Sequence, residues 1–103
     1  MKPKRKPKLV RDKIPEIIRA TGRVPKFRFA DEQEYYDFLI KKLEEEVEEF
    51  KENRNPDELQ DILEVIYAIA EYNTIDLKEL ERKRKQKVKE RGSFNKRIIL
   101  EDW

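Results

Sequence analysis

Residues 31–72 read DEQEYYDFLIKKLEEEVEEFKENRNPDELQDILEVIYAIAEY. In the first half, Tyr36, Leu39, Ile40, Leu43, Val47 and Phe50 recur at steps of three and four, the spacing of one helix face. Asp31 is a good N-cap, so a long helix is predicted over residues 32–53. Asn53-Arg54-Asn55-Pro56 then interrupts the pattern. Asn55 can cap a following helix and Pro56 suits its first position. That next helix, residues 56–72, carries Leu59, Ile62, Leu63, Val65, Ile66, Ile69 and Ala70. It is apolar over more than one face, as a central or interface helix is. The linker is short, so the next helix should return antiparallel. A helical hairpin therefore forms the centre of the fold.

Working outward, residues 12–20 predict a short first helix. Asp12 is its cap, Pro15 lies in its first turn, Ile14, Ile17 and Ile18 make its apolar side, and Gly22 is its stop. Lys26-Phe27-Arg28-Phe29 alternates with period two and reads as a short strand. Ile98-Ile99-Leu100 is β-prone and is its expected partner in a two-strand ribbon. Thr74 or Asp76 opens a fourth helix, residues 76–91, which Gly92 ends. The expected architecture is an all-α antiparallel bundle of about four helices with that small ribbon. Residues 1–8 hold five basic residues and two prolines, and read as a flexible basic arm. Residues 9–103 read as a single domain.

The chain has neither Cys nor His. That removes disulfides, thiolate metal sites and the commonest general base. Any metal must be held by oxygen. No long apolar run and no signal-peptide pattern is present, so a soluble cytoplasmic protein is expected. Charged residues make up 47% of the chain, and the two signs nearly cancel at 25 Lys+Arg against 23 Asp+Glu. A Lys/Glu-rich, Cys-free composition is also what hyperthermophile proteins tend towards. The 37% of hydrophobic residues is thin for a lone monomer of this size. A homo-oligomer, dimer or tetramer, using the third helix as interface is therefore expected.

Glu45-Glu46-Val47-Glu48-Glu49 and Glu58-Leu59-Gln60-Asp61 place acids three apart on the two arms of the hairpin, at its turn end. Residues i and i+3 share a helix face. Glu46 and Glu49 flank the apolar stripe, while Glu44, Glu48 and Glu52 point away from it. An acid run is usually a solvated face with lysine partners, here Lys41, Lys42 and Lys51. A glutamate beside the core stripe has no such reason to be there, and bare carboxylates resist joint burial. Mg²⁺ or Mn²⁺ would resolve the conflict. On the fourth helix, Leu77, Leu80 and Val88 mark the side expected to be buried. Arg84 and Arg91 fall on that side and Lys87 beside it, a basic row suited to phosphate.

These blocks resemble a known family. Lys42-Leu43-x-Glu45-Glu46-x-x-Glu49 followed by Glu58-Leu59-x-Asp61-Ile62-Leu63-Glu64-Val65 is similar to the MazG-type all-α nucleoside triphosphate pyrophosphohydrolases, relatives of dimeric dUTPase and phosphoribosyl-ATP pyrophosphohydrolase. The opening Lys8-Leu9-Val10-Arg11-Asp12-Lys13-Ile14-Pro15-Glu16-Ile17-Ile18 and the ending Arg91-Gly92-Ser93-Phe94 are similar to a small house-cleaning branch acting on noncanonical nucleotides. The resemblance implies cleavage of the α–β phosphate linkage to a nucleoside monophosphate and pyrophosphate. It implies Glu46, Glu49, Glu58 and Asp61 as ligands of Mg²⁺ (or Mn²⁺), and Glu45 and Glu46 as the catalytic acids. Glu45 would orient the attacking water or take its proton. Phosphate contacts would fall to Arg11, Lys13, Arg84, Lys87 and Arg91. The eight residues between Glu49 and Glu58 are fewer than in many relatives, and no Asn stands on the fourth helix. The alternatives are a helical interaction module without catalysis, or a weak nucleic-acid binder using the basic arm and the basic fourth helix.

Overall fold

A computed structural model describes residues 6–103. The arm expected over residues 1–8 lies outside them except for Lys6, Pro7 and Lys8. The described chain is all-helical: α1 (Ile14–Ala20), α2 (Glu32–Asn53), α3 (Glu58–Tyr72) and α4 (Leu77–Arg91). Strands are absent from the described residues, so the expected ribbon does not form. Phe27 and Phe29 meet edge to face at 6.0 Å instead, an i,i+2 contact that an extended segment makes without a neighbour. Period-two alternation requires a pairing partner to become a strand, and none of the described residues supplies one.

The packed unit is the α2–α3 pair, the one substantial helix–helix interface among the described residues. Asp31 caps α2 as expected, its carboxylate accepting from the Glu34 N–H at 2.8 Å. We expect Asp31→Ala to cost about 0.5–2 kcal/mol, read as a lower urea midpoint without a change in denaturant slope. At the other end Arg54 adopts the left-handed conformation (φ 53°), and its N–H donates to the Phe50 carbonyl at 2.7 Å. Asn55 caps one turn earlier than α3 proper: its side chain accepts from the Asp57 N–H at 3.0 Å and begins a tight turn that runs into Glu58. The far end of the hairpin is fastened by aromatic contact. Tyr36 stacks on Tyr72 at 4.5 Å, and Tyr35 meets Tyr72 edge-on at 6.1 Å.

The first helix corrects one expectation. Its N-cap is Lys13, without a side-chain cap, so Asp12 does not cap it. Asp12 lies one residue too early, because the turn closes from the Arg11 carbonyl to the Ile14 N–H. In α4, Asp76 does cap, accepting from the Lys78 N–H at 2.8 Å, and Gly92 (φ 87°) stops the helix. The side of α4 expected to be buried is not: no residue of α4 is buried, and Leu77 and Val88 are exposed. Periodicity marks which side would be covered, and α4 finds no substantial cover on α2 or α3.

Little is enclosed. Among the described residues the buried apolar ones are Leu39, Val65 and Ala70. The radius of gyration is 18.0 Å, against about 13 Å for a compact domain of 100 residues. Leu59, Leu63, Ile66 and Tyr67 form an exposed stripe along α3. No helix among the described residues is long and apolar enough to cross a membrane.

Candidate metal centre

The turn of the hairpin sets the site. Because Asn53–Asp57 brings α3 back against α2, the last turns of α2 face the first turn of α3. Glu46, Glu58 and Asp61 converge there, each offering a carboxylate oxygen within 4.8 Å of the others. Glu49 stands beside them. Its carboxyl is held above the ordinary carboxylate range, first by burial and then by the charges of Glu46, Glu58 and Glu45. The four acids read from the sequence are thus gathered, three tightly and one at the margin.

Glu46 is the most informative of them. It is only 7% exposed, the one buried charged residue of the described chain. Lys42, largely buried itself, pairs with its Oε1 at 3.3 Å. Its Oε2 has no hydrogen-bond partner. Leaving a buried acceptor unmet costs on the order of 1–3 kcal/mol, and more for an ionised one. The chain supplies some countercharge. Lys42 also reaches Glu45 at 3.3 Å, Lys8 reaches Glu45 at 3.8 Å, and Arg11 reaches Asp61 at 2.8 Å. Glu49 and Glu58 are left outside any ion pair among the described residues. Of the two acids that converge with Glu46, Glu58 is thus the one without a cationic partner. Oxygen-only donors, several of them carboxylate, suit a hard divalent cation.

Of the expected phosphate ligands, only Arg11 lies at the acids, and it holds a carboxylate. Lys13 is exposed at the start of α1. Arg84 pairs with Glu81 of its own helix at 3.0 Å, and Lys87 and Arg91 are exposed. None of these four is within ion-pair distance of Glu46, Glu49, Glu58 or Asp61 among the described residues. Lys42, read from the sequence as a lysine partner of a solvated acid face, instead pairs with the buried Glu46 four residues on, a spacing that puts ammonium and carboxylate side by side. Lys8 gave no such signal.

Glu49 yields a prediction with a definite sign. Its folded-state pKa is raised, so the folded chain binds its proton more tightly than the unfolded chain does. The contribution to stability is present at and below the ordinary carboxylate pKa and is lost as pH rises through the elevated one. Glu34, Glu79 and Glu81, whose pKa values are lowered by their arginine partners, act in the opposite sense. The expected result is a difference: wild type minus Glu49→Gln loses melting temperature as pH rises above the carboxylate range. A flat difference would show that Glu49 does not feel its neighbours.

No family model and no solved structure matches this chain. An uncharacterized protein of Mycolicibacterium smegmatis (strain ATCC 700084 / mc(2)155) is 54% identical to it over 43 residues, 42% of this chain and 44% of that protein. The chain thus spans less than half the length of the relative that it matches.

Proposed function

We propose that the chain is a divalent-cation-dependent nucleoside triphosphate pyrophosphohydrolase of the MazG type, converting noncanonical triphosphates to the monophosphate and pyrophosphate. The observation that carries the reading is the buried, half-partnered Glu46 carboxylate converging with Glu58 and Asp61. Glu46, Glu49, Glu58 and Asp61 would hold Mg²⁺ or Mn²⁺. When bound, the ion supplies Lewis acidity and lowers the pKa of a coordinated water, which a chain without His needs. Glu45 accepts the proton of the attacking water, and the bridging oxygen leaves with pyrophosphate. Lys42 orients Glu45 and Glu46 together, since it pairs with both. The test is a panel of ordinary and damaged triphosphates with Mg²⁺ or Mn²⁺, scored for pyrophosphate and repeated with chelator. No release with any substrate and either ion would end this reading.

The working unit in this proposal is a homo-oligomer, a dimer or tetramer that covers the α3 stripe. Arg84, Lys87 and Arg91 would then meet phosphate only as contributions from a second copy. A helical interaction module is the second reading, favoured by the exposed apolar stripe and by the chain's own cations at the acids. Calorimetry with Mn²⁺ separates the two, because the module has no use for an ion.

A further inference from the structure

A hollow of about 230 Å³ lies between the second half of α3 and the start of α4. Tyr67, Ala68, Ile75 and Leu77 form its apolar lining, and Glu64 and Glu71 its charged one. Residues 64, 67, 68 and 71 share a helix face, so the two carboxylates stand two turns apart, about 10 Å, with apolar floor between them. Neither carboxylate is in an ion pair among the described residues. Small-molecule sites run from about 300 to about 1,000 Å³. This hollow is smaller and fits a few side chains of a docked segment. The stretch after α4 has matching chemistry. Ile98, Ile99 and Leu100 are 76%, 82% and 63% exposed, and Lys96-Arg97 stands directly before them. Single exposed apolar residues need no explanation, whereas three in a row mark a contact surface. Lys96 and Arg97 are likewise in no ion pair among the described residues.

We propose that the Lys96–Leu100 segment of a second copy of this chain docks in the hollow, with Ile98 and Leu100 on the apolar floor and Lys96 and Arg97 at Glu64 and Glu71. The proposal rests on the oligomer reading above, and on neither the metal nor the hydrolase. Charge complementarity carries it: two unpaired anions flank an apolar floor, and two unpaired cations lead an apolar run. Ile98 and Leu100 share one side of an extended chain, as alternate residues do. The chain's own tail is badly placed for the same contact. Leu77 and Arg91 are the two ends of α4, about 21 Å apart. The stretch from Arg91 to Ile98 spans about 24 Å only when fully extended. It holds instead a turn that the Arg97 N–H closes on the Phe94 carbonyl at 3.1 Å. Accordingly, no residue of the tail lines the hollow of its own chain. Tyr67 belongs both to the hollow and to the exposed α3 stripe, so the docked tail would continue the surface already assigned to a second copy. In a two-fold pair the exchange is reciprocal, and each contact occurs twice.

Charge reversal in trans tests the pairing. Lys96→Glu/Arg97→Glu and Glu64→Lys/Glu71→Lys are each expected to raise the dissociation constant of the full-length assembly about tenfold or more, because both contacts become repulsive. Mixed one to one, the two variants should associate as wild type does, since every hollow then meets a tail of opposite charge. All four positions are exposed, and far-UV circular dichroism checks that the helices persist. No rescue on mixing overturns the pairing. The chain has no Cys, so introduced thiols are unique. An Ala68→Cys chain and a tagged Leu100→Cys chain, joined by a short bismaleimide, should give far more mixed product than Lys85→Cys with Leu100→Cys. Equal yields overturn docking in the hollow. A chain carrying both Ala68→Cys and Leu100→Cys that closes on itself at a rate independent of dilution overturns the second copy in favour of its own tail. Association lost in Leu63→Glu but indifferent to both charge reversals keeps the α3 stripe and removes the docked tail. Association that survives Leu63→Glu and follows the charge reversals does the opposite. A wild-type chain that stays monomeric at every concentration removes both.

Discussion

Glu46→Gln is expected to abolish Mg²⁺-dependent pyrophosphate release and to leave the hairpin folded. The amide matches the carboxylate in volume, so no cavity opens at this buried position. Lys42 keeps Glu45 as its partner at 3.3 Å, so no buried ammonium is stranded. One negative charge disappears from a cluster in which Glu49 already resists ionisation. The metal-free melting temperature should therefore hold or rise. The ion loses the one donor that is fixed by burial. Disturbing even an outer partner of a metal ligand costs about 10–100-fold, so loss of a direct ligand should exceed that. Asp61→Asn should behave alike, because its exposed pair with Arg11 contributes little to stability. Pyrophosphate assays and melts with and without Mg²⁺ read both effects. Wild-type hydrolysis in either variant would place the chemistry elsewhere.

Leu63→Glu is expected to convert an oligomer into a monomer and to lower the melting temperature sharply. Leu63 lies in the α3 stripe with Leu59, Ile66 and Tyr67, all exposed in a single chain. Among the described residues the buried apolar side chains are Leu39, Val65 and Ala70, too small a core to hold an extended molecule of this length. Covering a leucine contributes about 1.5–3 kcal/mol, and a symmetric interface uses the residue twice. Replacing it by a carboxylate also buries unpaired charge. Light scattering across a dilution series measures the mass. A wild-type chain that stays monomeric at high concentration would refute the interface.

The hairpin was legible because its signals are local. Asp31, the stripe from Tyr36 to Phe50 and the Asn53–Pro56 break lie next to the structure they specify. The helix bounds of α2 follow from them directly. The ribbon and the buried side of α4 were misjudged for one reason: alternation and periodicity describe a surface, and whether anything covers it depends on distant chain or another molecule. The site divides the same way. Glu46 stood out because a charge beside an apolar stripe contradicts its surroundings. Arg11 on Asp61 spans 50 positions, and no spacing rule reaches that far. Arg11 was therefore read as a phosphate ligand when its nearest anion is a carboxylate of the chain itself.

The turn at Asn53–Asp57 also governs when the site comes into being during folding. Every carboxylate from Glu46 to Asp61 belongs to one short stretch closed by a small loop, and closing such a loop costs little entropy and occurs early. The acid cluster is therefore expected to assemble while the rest of the chain is still finding its place. An ion captured at that moment would hold the two helices at their tethered end before Tyr36 and Tyr72 meet at the other. A cation would then act on the speed of folding as well as on the folded state, a nucleus in the kinetic sense and not merely a cofactor of the finished molecule.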